Sequence, residues 1–114
     1  MRRLAGGAIA IVLTAAAGCG GGGTERRSIS AATVGAAAGF TPPAVTVDKG
    51  DTVVLTVGNK TDKTHGFTID GYGVREEVEA LGSKKVELTA SKAGTFRIRC
   101  QLHPAHQTAT LVVQ

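Results

Sequence analysis

From Ala44 to the end of the chain, apolar residues recur at every second position in one short run after another, and nowhere does a run of helical length repeat every third or fourth residue. Val45 and Val47 flank Thr46, and Val53, Leu55 and Val57 alternate with Thr52, Val54 and Thr56. Phe67 and Ile69 follow His65, Val86 and Leu88 alternate with Lys85, Glu87 and Thr89, and Phe96 and Ile98 alternate with Arg97 and Arg99. Turn-forming or polar stretches separate them, at Thr41-Pro42-Pro43, Asp48-Lys49-Gly50-Asp51, Asn59-Lys60-Thr61-Asp62-Lys63, Asp70-Gly71-Tyr72-Gly73 and Ala93-Gly94, the first four about 8 to 12 residues apart. That spacing predicts an all-β chain of six or seven short strands folded as a sandwich. The two valine runs around residues 48–51 are expected to form a hairpin, and residues 30–34 a first strand. Residues 35–39 suit a helical turn or a loop, and the charged residues 75–79 a helical turn or a solvated loop.

The same alternation decides where the reactive side chains point. Cys100 shares a face with Phe96 and Ile98, and His65 with Phe67 and Ile69, so a thiol and an imidazole both look inward at strand ends. Cys100 also opens Cys100-Gln101-Leu102-His103-Pro104-Ala105-His106, which puts one thiol and two imidazoles in a single short loop. This is the ligand set of a soft or borderline transition metal rather than of Ca²⁺ or Mg²⁺. If the two strands lie side by side, His65 reaches the loop and completes the His₂Cys trigonal arrangement of a blue-copper electron-transfer site. A thiolate with two imidazoles is acceptable to Cu(I) and Cu(II), so little must move when an electron arrives, and Pro104 stiffens the loop.

Each residue taken singly has a blander account. His65 alone reads as a hydrogen-bonded core histidine, Cys100 as a small core hydrophobe, and His103 and His106 as surface loop residues. It is the set, at this spacing, that points to one metal ion. Copper is expected, and zinc is the alternative, since a Cys with three His is also a legitimate tetrahedral set. Asp62 and Asp70 read as turn residues, and Gln107 is a fallback axial oxygen ligand. Thioether ligation is excluded because the only methionine is Met1.

Three stretches together resemble the cupredoxin family: Asn59 with His65-Gly66-Phe67-Thr68-Ile69, then Ala93-Gly94-Thr95-Phe96, then the Cys100 loop closing on Thr110-Leu111-Val112-Val113. The loop is similar to that of amicyanin, in which Cys-x-x-His-Pro-x-Met carries three of the four copper ligands. The resemblance runs over residues 40–114 and implies a Greek-key β-sandwich of six to eight strands. Cys100, His103 and Pro104 fall on the family pattern and His65 on the upstream ligand position. His106 stands where the family has its axial Met, so the implied metal ligands are His65, Cys100, His103 and His106.

The N-terminal residues set an expected address. Arg2 and Arg3 precede the apolar residues 4–17, fourteen in number, a signal-peptide core too short for a membrane span of about 20 residues. Small residues then lead to Cys19, which resembles a bacterial lipobox. Residues 1–18 are therefore expected to be a signal peptide, Cys19 the lipidated N-terminus, residues 19–30 a flexible linker and residues 31–114 the domain. The competing expectation, a Cys19–Cys100 disulfide, fits poorly with a cysteine beside four glycines and another in a strand among ligand-spaced histidines. Two of the 13 positive residues leave with the signal peptide, so the mature net charge is +2. With four aromatics in the chain there is neither the charge nor the stacking platform of a nucleic-acid binder.

These features predict a monomeric copper protein, exported and lipid-anchored on the outer face of the cell membrane or in the periplasm, working as a one-electron carrier. Four protein ligands leave no position for substrate, so no catalysis is expected. The membrane is reached through the lipid on Cys19, and a redox or copper-donor protein is expected to dock near Leu102, Pro104 and Ala105. The competing functions are a copper-trafficking or metal-uptake accessory lipoprotein, and a structural β-sandwich without metal. A binuclear copper site is disfavoured because the loop holds only Cys100.

Overall fold

The computed structural model describes residues 22–34 and 37–114, and among them the protein is all β. The strands are β1 (Thr24–Val34), β2 (Ala37–Thr41), β3 (Ala44–Val47), β4 (Thr52–Asn59), β5 (His65–Ile69), β6 (Val74–Val78), β7 (Ser83–Thr89), β8 (Gly94–Arg99) and β9 (Ala109–Val113). One sheet runs β2-β1-β4-β7 and the other β3-β9-β8-β5-β6. Both are mixed, with β1 parallel to β4, β3 parallel to β9, and the remaining neighbours antiparallel.

The period of two does what it must. Val53, Leu55 and Val57 turn their side chains inward from β4 while Thr52, Val54 and Thr56 stay half-exposed. They meet Phe67 and Ile69 of β5, Ile98 of β8 and Leu111 of β9, all fully buried, in one core between the sheets. All five residues of β5 are buried, because it lies inside its sheet with β6 on one side and β8 on the other.

The nine strands among the described residues exceed the expected six to eight, and the excess comes from the N-terminal part. The linker expected over residues 19–30 ends by Thr24, where β1 begins, so the domain starts before residue 31; Cys19 and residues 1–18, expected to be a signal peptide, lie outside the described residues. In residues 24–28 no apolar side chain announces a strand, yet Arg27, Ser28 and Ile29 pair in register with Leu55, Thr56 and Val57, and Ile29 and Ala31 are buried. A partner distant in sequence imposes the strand where local preference is weak.

The expected hairpin of the two valine runs does not form. β3 and β4 belong to opposite sheets, and residues 48–51 carry the chain across, with Gly50 at φ 96° and the Asp51 carboxylate accepting from the Asp48 amide at 3.1 Å. Alternation says that one face is buried but not which strand covers it. The charged residues 75–77 likewise sit in β6, paired with β5, rather than in a helical turn or loop.

Candidate metal centre

The two elements predicted to carry the donors are neighbours. β5 and β8 are antiparallel with Thr68 opposite Arg99 and Ile69 opposite Ile98. The chain leaves β8 at Arg99, so Cys100 comes one residue past the last pair, level with Phe67 in the middle of β5, and its thiol faces the interior, with 6% of the residue exposed. Its Sγ lies 3.8 Å from His65 Nδ1 and 3.4 Å from His103 Nδ1. One donor atom from each of His65, Cys100 and His103 lies within 4.8 Å of the others. The Gly66 amide donates to the same sulfur at 3.1 Å, a bond that stabilises negative charge there.

His65 is delivered by a loop tied down from below. Asn59, at the end of β4, is buried and uses its whole amide. Its Nδ2 donates to the carbonyls of Lys63 at 2.7 Å and Val78 at 3.0 Å, and its Oδ1 accepts from the amide of Thr61 at 2.9 Å and its hydroxyl at 2.8 Å. The loop of Cys100 is held by its own turns, His103 N to Cys100 O at 3.4 Å and His106 N to His103 O at 2.9 Å, and by Gln107 N to Ala38 O at 2.9 Å.

His106 stands beside the three-residue cluster rather than within it. Its ring packs on His65, centroids 4.9 Å apart, and on Phe40 at 4.5 Å. Nδ1 lies 2.9 Å from the Gln107 carbonyl, which accepts from it, so that nitrogen carries the proton and Nε2 is the free lone pair. Nε2 is buried and meets no hydrogen-bond partner among the described residues. Gln107 itself is exposed. An open cavity of about 380 Å³ adjoins the imidazoles of His65, His103 and His106.

Burial pushes the His65 imidazole below its ordinary pKa, and the neighbouring His106 and His103 rings push the same way. Burial lowers His106 too, against the opposing hydrogen bond to Gln107 and with a further lowering from His103. Both rings are thus kept neutral, the form in which imidazole binds metal. The donor set fits a soft or borderline ion: one thiol, neutral imidazoles, a hydrogen bond aimed at the sulfur, and a buried nitrogen lacking a partner, which structures rarely leave unexplained.

Two contributors escaped the sequence. Phe40 of β2 packs edge-on against Phe67, centroids 5.6 Å apart, and forms a wall behind His106. No local pattern marks it, because β2 reaches the site only through the sheet order. Gln101 reaches across β5 to β6 through its side-chain amide.

A β-sandwich with a buried thiol and imidazoles from one strand and one loop at a shared end is the architecture of the cupredoxins. The family described as cupredoxin-like domain matches residues 6–113, and the chain belongs to it. The fold is also similar to the multicopper oxidase mgLAC, with a TM-score of 0.67 at 20% identity over 80% of this chain and 39% of that one. It is similar to the copper nitrite reductase from Nitrosomonas europaea, with a TM-score of 0.69 at 21% identity over 80% of this chain and 41% of that one. The chain thus spans well under half of either neighbour, and the likeness is one of fold.

Proposed function

We propose that the chain is a mononuclear copper protein that carries single electrons, in which His65, Cys100 and His103 would hold the ion and His106 Nε2 would offer a fourth donor. The observation that carries this reading is the approach of three donor atoms to within 4.8 Å of one another beside a buried imidazole nitrogen with no partner among the described residues. Copper bound there would supply a Cu(I)/Cu(II) couple. Cys100 binds as thiolate, its charge met by the Gly66 amide, and the buried imidazoles bind neutral. Four donors from the protein leave no position for substrate, which favours a carrier over an enzyme.

His103 is half-buried, the one donor of the four that reaches toward solvent. Leu102, 39% exposed, and the exposed Pro104 and Ala105 surround it with apolar surface suited to a brief redox encounter. Export and lipidation at Cys19 would keep the domain at the outer face of a membrane, with the glycines at 20–23 as the tether ahead of β1. Copper retention is the test. The chain, loaded in each oxidation state and challenged with a competing chelator, should hold both Cu(I) and Cu(II) tightly. Retention of only one state would make it a copper-handling protein instead.

A further inference from the structure

The β5–β8 ladder stops short of the site. Backbone pairing covers Thr68 with Arg99 and Ile69 with Ile98, whereas the donors His65 and Cys100 lie past its end. Continuing the antiparallel register by two residues sets Gly66 opposite Gln101, and here a side chain takes over from the backbone. Gln101 Oε1 accepts from the Thr68 hydroxyl at 2.7 Å, and Gln101 Nε2 donates to the Glu76 carbonyl at 2.9 Å. The amide therefore crosses from the end of β8 over β5 to β6. It can do so because residue 66 is glycine: a β-carbon there would fall on the Gln101 amide. Beneath it, the Gly66 amide donates to Cys100 Sγ at 3.1 Å.

We propose that Gln101 is a positioning residue that straps the ligand loop to β5 and β6 across Gly66, and so fixes Cys100 Sγ against the Gly66 amide and beside His65. The metal consequence rests on Cys100 being a ligand; the strap itself does not. Both hydrogen-bonding ends of the amide are used, and an exposed glutamine without a task would leave them to water. Removing such outer partners of a ligand typically weakens metal binding about 10- to 100-fold.

The test has a metal-free arm and a copper arm. In the metal-free full chain, hydrogen exchange at the Gly66 amide should quicken about tenfold in Gln101→Ala and in Gln101→Met, the latter keeping bulk over Gly66 but neither hydrogen bond. Gln101→Glu, which still accepts from Thr68 but cannot donate to Glu76, should fall between them and wild type. In the copper arm, Gln101→Ala should weaken Cu(II) affinity about 10- to 100-fold and shift the thiolate-to-copper absorption band. Gly66→Ala should do the same alone and cost little more in a Gln101→Ala background, because the collision is gone. Unchanged Gly66 exchange in both Gln101→Ala and Gln101→Met overturns the strap. Altered exchange with copper affinity and band unchanged overturns its role toward Cys100. A wild type without any such band refutes the copper reading, and the exchange arm then decides the strap by itself.

Discussion

His65 and Cys100 arrive at one point by two kinds of support. His65 belongs to a strand whose five residues are all buried, and the loop before it hangs on the four hydrogen bonds of Asn59. Cys100 lies just past the end of its strand, followed by a loop with exposed Leu102, Pro104 and Ala105. The first donor inherits its position from the core, whereas the other donors depend on local fastenings. Damage near His65 should therefore cost the fold its stability, and damage in the loop should cost metal binding while sparing the fold.

The largest effect expected is Cys100→Ser. It should abolish tight copper binding and the thiolate band while the metal-free variant unfolds within about 1 kcal/mol of wild type, the two side chains being nearly the same size. A copper titration followed by urea unfolding measures both, and a large loss of stability would erase the distinction between the two arms. Asn59→Ala should behave in the opposite way. It strips partners from the Lys63 and Val78 carbonyls and the Thr61 amide and should destabilise the metal-free protein by about 2 to 4 kcal/mol. Its unfolding midpoint in urea reads this directly.

Within the loop, His106 is expected to tune the site rather than to form it. As an axial imidazole it would lower the reduction potential relative to a thioether, so His106→Met should raise the potential and make the site bluer. Voltammetry of the copper-loaded variants decides it, and a potential and spectrum indifferent to His106→Ala would leave the ring a packing partner of Phe40. The smallest effect belongs to Asp70, at the far end of the β5–β8 seam. Hydrogen bonding from Arg99, the main cause, holds its carboxyl below the ordinary value, with Arg97 adding to the effect. A depressed carboxyl stabilises above its unfolded pKa near 3.9, and that contribution is lost as pH falls through the folded value. Asp70→Asn should thus be slightly less stable than wild type at neutral pH, the gap closing below about pH 4, as unfolding curves at the two pH values would show. The pair is exposed, so the gap should be small.

What the sequence made legible was whatever depends on neighbours along the chain. Alternation put Cys100 and His65 on inward faces, and the short loop brought His103 to Cys100. What it hid depends on partners far away. Residues 24–30 look like a tether because their strand is imposed by β4, and the valine runs around Asp48 look like a hairpin because alternation carries no information about which sheet is joined. Phe40 and the Gln101 bridge became visible only once β2, β5 and β6 had their places. Gly66 carried a faint signal, a glycine inside a strand being a sign of close approach by something else.

If copper is held as proposed, one thiolate and the surrounding imidazoles share a single ion. X-ray absorption at the copper edge, on the full chain loaded with one equivalent, tests it most directly. Wild type should show one sulfur scatterer with imidazole nitrogens, and Cys100→Ser nitrogen or oxygen alone. Copper bound in wild type without a sulfur neighbour would contradict it.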